Sequence, residues 1–232
     1  MPATMTQTEV TIFLADQRGC SQTDWFRSYH SFNFGSYQAE NRAPFGALRV
    51  FNDETLAGEK SLKMTVDENS DVLLLPLTGA LEYAIGPGET GLSAPGELLV
   101  LSAAKGTEFE ITNPYSDELI NFLQIWVRHN APSVKTKRFT GSFEVEQKNQ
   151  LYPLFSTHAT AMIGKFEGRQ EGMYTVQYPE KNGVFVFVIE GAFEVQNRLL
   201  HPRDGLSLAH ISKMDFEALS NDALLLVLEI PL

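Results

Sequence analysis

Five histidines, His30, His129, His158, His201 and His210, and one cysteine, Cys20, are the side chains of this 232-residue chain best suited to metal binding or nucleophilic work. None has an evident partner. His30 sits in an aromatic segment and reads as a hydrogen-bonded core or turn residue. His129 follows a long apolar run and reads as surface, and His158 has no second ligand at metal-binding spacing. His201 and His210 lie nine residues apart, and nothing in the sequence requires them to meet. A lone cysteine rules out an intrachain disulfide and a Cys-based metal cluster. No His or Asp accompanies it as a nucleophile would need, so Cys20 reads as an incidental thiol. No nucleophile-elbow sequence marks a Ser-His-Asp enzyme.

Other motifs look chemical only at first sight. Asp67-Glu68-Asn69-Ser70-Asp71 has the look of a calcium loop without its central glycine and terminal glutamate, and is expected to be a solvated loop. Gly86 to Gly91 is glycine-rich but has no following lysine or helix, so it reads as a hairpin turn. Glu108 and Glu110 flank Phe109 and should lie on the opposite face of a strand from it. Glu82 and Tyr83 could supply acid-base chemistry of an isomerase type if one of them pointed into a barrel.

Composition narrows the partners. Eighteen basic residues against 29 acidic ones give a formal net charge of −11, which speaks against binding to a phosphate backbone. The one basic cluster, Lys135-Thr136-Lys137-Arg138, reads as solvated surface in a linker. No apolar run approaches the roughly 18 residues of a membrane span, and the first nine residues do not resemble a secretory signal. A soluble cytoplasmic protein is the expectation, with no nucleic-acid or membrane partner.

The elements that must position these side chains are strands. Val72 to Leu75, Leu98 to Leu101, Ile120 to Val127, Val184 to Ile189 and Leu224 to Ile230 are strand-length apolar runs. Turn residues punctuate them at Asn52-Asp53, Gly86-Pro87-Gly88, Ala94-Pro95-Gly96, Asn113-Pro114, Asn182-Gly183 and Asn221-Asp222. One short helix is predicted around Glu146 to Leu154.

Half of the chain repeats the other. Leu77-Thr78-Gly79-Ala80-Leu81-Glu82-Tyr83 matches Ile189-Glu190-Gly191-Ala192-Phe193-Glu194-Val195, and Ala94-Pro95-Gly96-Glu97 matches His201-Pro202-Arg203-Asp204. Glu108-Phe109-Glu110-Ile111 matches Asp215-Phe216-Glu217-Ala218, each Phe 14 residues after its Pro. Such spacing predicts two copies of one unit. Strands joined by these turns close into jelly-roll barrels. The fold class is therefore all-β, two tandem jelly-roll β-barrels, with a first domain at 1–130, a second at 131–232 and a polar linker near 130–150.

The sequence resembles the pirin family of two-domain cupins. The resemblance is carried by Asp16-Gln17-Arg18-Gly19, Arg27 to Tyr37, Leu48 to Asp53 and Asn121 to Val127, and more weakly by His201 to Gly205. It implies one iron-type metal in the N-terminal barrel, held by three histidines and one glutamate. Counting from Gly79 and from the Pro95 turn, those four positions carry Thr65, Asp67, Phe109 and Ile111. Phenylalanine and isoleucine have no lone pair to offer, and no histidine lies between His30 and His129 to restore one by a shift in register. The expectation is a scaffold with no cofactor, no metal and no catalytic residue, these four positions lining a pocket. It would act as a binding or regulatory protein toward a protein partner or a small apolar ligand, and the resemblance favours a monomer. The alternative is the activity the resemblance implies, a metal-dependent, quercetinase-like dioxygenase acting on flavonols.

Overall fold

The computed structural model describes residues 8–86, 88–131, 137–143 and 147–232, with the side chains of 137–139 left aside. In chain order, β1 (Glu9–Phe13) leads through a single 3-10 turn (Ala15–Gln17) to β2 (Gly19–Gln22), β3 (Phe26–His30), β4 (Leu48–Leu56) and β5 (Ser61–Thr65). There follow β6 (Ser70–Thr78), β7 (Leu81–Ile85), β8 (Glu89–Ser93), β9 (Glu97–Ala103), β10 (Glu108–Thr112), β11 (Ile120–Arg128) and β12 (Lys137–Ser142). The rest comprises β13 (Tyr152–Ser156), β14 (Thr160–Phe166), β15 (Glu171–Thr175), β16 (Asn182–Glu190), β17 (Phe193–Val195), β18 (Arg198–Leu200), β19 (Gly205–Ala209), β20 (Lys213–Ala218) and β21 (Ala223–Pro231). No helix among the described residues is long and apolar enough to cross a membrane.

The chain divides into two compact units, Arg18–Phe143 and Met1–Gln17 with Glu144–Leu232. Each is a sandwich of a large and a small antiparallel sheet. The N-terminal unit orders its large sheet β12-β9-β6-β11-β4-β3-β2 and its small one β5-β10-β7-β8. The C-terminal unit orders them β1-β19-β16-β21-β14-β13 and β15-β20-β17-β18. Strand order within the two units is the same wherever they overlap, which is the sequence repeat seen in three dimensions.

The division differs from the expected one at 130/131. β1 pairs antiparallel with β19 from Glu9↔Ala209 to Phe13↔Gly205, so the chain's first strand closes the C-terminal sheet. β12 pairs with β9, which keeps residues 137–142 in the N-terminal unit. Edge hydrogen bonding, which a linker's polar composition does not reveal, decides both assignments. The expected helix is also absent: Glu146 lies outside the described residues, and Tyr152–Ser156 forms β13 against β14. Lys135 and Thr136 of the basic cluster lie outside the described residues as well.

The turns show why the repeat folds twice. Gly79 and Gly191 adopt φ of +72° and +75° between β6 and β7 and between β16 and β17, a region that favours glycine. In the turns leading to β9 and β19 the same acidic position caps the chain. Ala94 N donates to Glu97 Oε2 at 2.9 Å, and His201 N donates to Asp204 Oδ2 at 2.8 Å. Two apolar clusters fill the sandwiches. One is built on Val72, Leu74, Leu99, Phe109, Phe122 and Trp126, the other on Val184, Val186, Phe193, Phe216, Leu225 and Val227.

Candidate functional site

Strand alternation determines what the N-terminal barrel shows to its interior. On β10, Phe109 and Ile111 are buried in the apolar cluster, while Glu108 and Glu110 face outward. Phe109 meets Trp126 with ring centroids 6.1 Å apart. On β5 the inward side chain is Met64, followed by the buried Val66 just beyond the strand; Thr65 and Asp67 are exposed. Thr65 and Phe109 line, with Lys63, Met64, Glu108 and Glu110, a cavity of about 390 Å³. Thus the four family positions do not converge: two point into hydrocarbon and two toward solvent.

A divalent ion of the iron type requires several nitrogen or oxygen donors aimed at one point. Met64, Val66, Phe109 and Ile111 do not form such a set. The residues at the family positions therefore do not fit the family metal.

What the barrel interior holds is a row of polar side chains on the large sheet. β4 alternates Leu48, Val50, Asn52, Glu54 and Leu56 inward, and β11 alternates Ile120, Phe122, Gln124 and Trp126. Asn52-Asp53, expected as a turn, lies in the middle of β4. Glu54 is wholly buried. It accepts hydrogen bonds from Ser28 Oγ at 3.1 Å and Asn52 Nδ2 at 3.3 Å. The Gln124 amide, oriented so that its nitrogen faces the carboxyl, donates to Glu54 Oε1 and Oε2 at 3.1 and 2.8 Å and accepts from Trp126 Nε1 at 2.8 Å. Burial raises the Glu54 pKa to about 8, opposed by the hydrogen bonds from Ser28 and Asn52 and reinforced by the neighbouring Asp53 charge.

His30 is buried, as its aromatic segment suggested. Its Nδ1 lies 3.0 Å from Asn52 Oδ1 and 3.3 Å from Ser28 Oγ, and its Nε2 lies 2.8 Å from Ser21 Oγ. Burial lowers its pKa against the raising effect of the hydrogen bond to Asn52 Oδ1, and the Arg18 charge lowers it further. With both ring nitrogens engaged, His30 belongs to this network. On the opposite face of β4, Arg18 pairs with Asp53 at 3.2 Å, and Asn121 Nδ2 donates to Asp53 Oδ1 at 2.8 Å.

Two further expectations are corrected. His129 is not on the surface: it is 6% exposed and its Nε2 lies 3.9 Å from Asp71 Oδ1. Asp71, expected in a solvated loop, is buried on β6 and accepts a hydrogen bond from Ser102 Oγ. This pair brings two ligand-type side chains together within the N-terminal unit, which sequence spacing could not reveal. Glu82 is exposed and only Tyr83 points inward, so the barrel's internal acid is Glu54 and not Glu82. Cys20, His158, His201 and His210 are exposed. His201 lies before the turn that precedes β19 and His210 directly after that strand.

The C-terminal barrel buries a different acid. Glu229 accepts hydrogen bonds from Gln177 N, Tyr178 N, Tyr174 Oη and Asn182 Nδ2 at 2.7 to 3.1 Å. Burial alone would raise its pKa, but these donors outweigh it and hold the carboxyl below its ordinary value. At the other end of β21, where Ala223 pairs with Phe166, the interior is aromatic: the Phe166, Phe193 and Phe216 rings contact one another edge to face.

Comparison with known proteins agrees with this architecture. Residues 14–127 match the family model described as Pirin, and residues 155–230 match that described as the quercetinase C-terminal cupin domain. A protein of Pasteurella multocida named as a putative quercetin 2,3-dioxygenase is 24% identical over 223 residues, covering 91% of this chain and 96% of that one. The quercetin 2,3-dioxygenase of Escherichia coli K12 is 23% identical over 219 residues, covering 91% and 95%. The solved bacterial pirin YhhW of E. coli, in complex with nickel(II), superposes with a TM-score of 0.85 at 20% identity, covering 96% of this chain and 99% of that one.

Proposed function

Since this chain belongs to the pirin family, we propose that it works as a binding protein, toward a protein partner or a small apolar ligand, and not by oxygenation at a metal held in the family's four positions. One observation carries this reading: Phe109 and Ile111 occupy the barrel interior as buried hydrocarbon where the family resemblance places a histidine and a glutamate. With their neighbours Met64 and Val66 they fill that end of the barrel with hydrocarbon. Fold resemblance alone does not transfer activity.

A second reading, quercetinase-like dioxygenation of flavonols, is supported by the names of the relatives and by the nickel(II) in the solved pirin. The buried Asp71–His129 pair adds support, because ligand-type side chains do meet elsewhere in the N-terminal unit. The relatives' names weigh toward this second reading, and the chemistry of the four positions toward the first. Protein expressed with iron and nickel supplied should be incubated with quercetin in air while oxygen uptake is followed. Binding without oxygen uptake supports the first reading; sustained, metal-dependent uptake with ring opening establishes the second.

A further inference from the structure

The polar row inside the N-terminal barrel has a direction. Trp126 Nε1 donates to Gln124, and Gln124, Asn52 and Ser28 all donate to Glu54. From Ser28 the row continues to His30 Nδ1 at 3.3 Å, and from His30 Nε2 to Ser21 Oγ at 2.8 Å. Ser21 is partly exposed, whereas Ser28, His30 and Glu54 are buried. The ring of Phe34 lies 5.3 Å from His30 and that of Tyr37 stacks on it at 6.0 Å. Aromatic walls thus enclose a line of hydroxyl, imidazole, hydroxyl and carboxyl that starts at the surface.

We propose that Ser21, His30 and Ser28 form a proton relay through which buried Glu54 exchanges its proton with solvent, His30 changing tautomer at each transfer. With Glu54 ionised, Ser21 donates to His30 Nε2, His30 Nδ1–H faces both Asn52 Oδ1 and Ser28 Oγ, and Ser28 donates to Glu54. On transfer, the Ser28 hydroxyl proton passes to Glu54 and the Nδ1 proton of His30 to Ser28. The Ser21 hydroxyl proton then passes to Nε2, and a solvent proton replaces it on Ser21. One proton has entered and one carboxylate has become a carboxylic acid. His30 stays neutral but now carries its proton on Nε2. Glu54 then donates to Ser28, Ser28 to Nδ1 and Nε2–H to Ser21, while Asn52 Oδ1, 3.0 Å from Nδ1, gives up its donor.

The groups facing Glu54 are Ser28 and His30 from β3, Asn52 from its own strand, and Gln124 and Trp126 from β11. The small sheet presents Met64, Phe109, Ile111 and Tyr83 to the same interior. The charges acting on the relay are Asp53, which disfavours the Glu54 anion, and Arg18, which disfavours a His30 cation. Both keep the moving species a proton between neutral or singly charged partners. The relay gives the barrel interior a proton donor and acceptor that is independent of any metal.

The test is a pH titration of the full chain, following the His30 tautomer by long-range nitrogen–proton NMR and Glu54 by its carboxyl carbon. The expected result is that His30 passes from the Nε2–H to the Nδ1–H tautomer with the same midpoint at which Glu54 ionises. Ser28→Ala should abolish that change while Glu54 still titrates, and Glu54→Gln should hold His30 in one tautomer across the range. A His30 tautomer that stays constant while wild-type Glu54 titrates, or one that still follows Glu54 in Ser28→Ala, overturns the relay. Should Ser28→Ala fail to fold, the wild-type and Glu54→Gln titrations decide the matter.

Discussion

In the N-terminal barrel a glutamate, seventh of the nine residues of β4, sits among two amides and a serine; in the C-terminal barrel another, seventh of the nine residues of β21, sits among two backbone N–H groups, a phenol and an amide. The strands carrying them are not equivalent: β21 corresponds to β11 of the first barrel, not to β4. Val72, seven residues before Gly79, pairs with Trp126, and Val184, seven before Gly191, pairs with Glu229. So Glu229 occupies the position that Trp126 fills in the first barrel. Desolvation wins at Glu54, whose pKa rises to about 8, and hydrogen bonding wins at Glu229, whose pKa falls. One scaffold folded twice sets the state of a buried acid by the donors around it, and the strand order places no constraint on which state results.

The largest consequence is in stability against pH. Glu54 has a folded pKa of about 8 against an ordinary 4.5, so its contribution is complete below pH 4.5 and is lost as pH rises through 8. The loss should approach about 4–5 kcal/mol, and Glu54→Gln should flatten it in urea unfolding at a series of pH values. Glu229 has the opposite sign. Its contribution is present above its ordinary pKa and is lost as pH falls through the lowered folded value.

Next in size, Glu229→Ala leaves four donors without their acceptor and should cost on the order of 3 kcal/mol. Glu54→Gln at pH 6, where the native acid is already neutral, should cost about 1 kcal/mol. Equal losses in the two variants, measured by denaturant midpoint, would break the contrast between the barrels.

A smaller difference separates the two turn glycines. A Cβ on Gly191 would meet Ala223 Cα at 2.9 Å and Cβ at 2.7 Å, whereas one on Gly79 would meet the Ile120 side chain at 2.7 Å. Ile120 can rotate away and the Ala223 backbone cannot. Gly191→Ala should therefore cost about 2–3 kcal/mol and Gly79→Ala about 1–2, read as a difference in Tm.

Much of this fold was legible because turns and apolar runs are local. Gly79 and Gly191, the Pro95 and Pro202 turns, and Phe109 and Phe216 fall where the repeat put them. What was not legible depends on edge pairing. β1 joins β19 at the other end of the chain, and no local signal in Glu9 to Phe13 announces it. Of the candidate site, the burial of Phe109 and Ile111 followed from alternation, but Thr65 and Asp67 turn outward and Met64 and Val66 take the interior. Glu54 escaped attention because Asn52-Asp53 reads as a turn. The available signal was polar residues at 52, 54 and 124 in rows otherwise made of Val50, Leu56, Phe122 and Trp126, where a period of two forces them inward. The Asp71–His129 pair had no such signal, since it joins the start of β6 to the segment after β11.

The central contrast is between a barrel lined with metal donors, as the family resemblance implies, and one lined with hydrocarbon and a protonated acid. The most direct measurement is elemental analysis of untagged protein produced with iron and nickel supplied. Folded protein with well under one metal ion per chain is the expected result. Close to one equivalent of iron, nickel, zinc or copper would contradict the account and return the chain to metal-dependent chemistry.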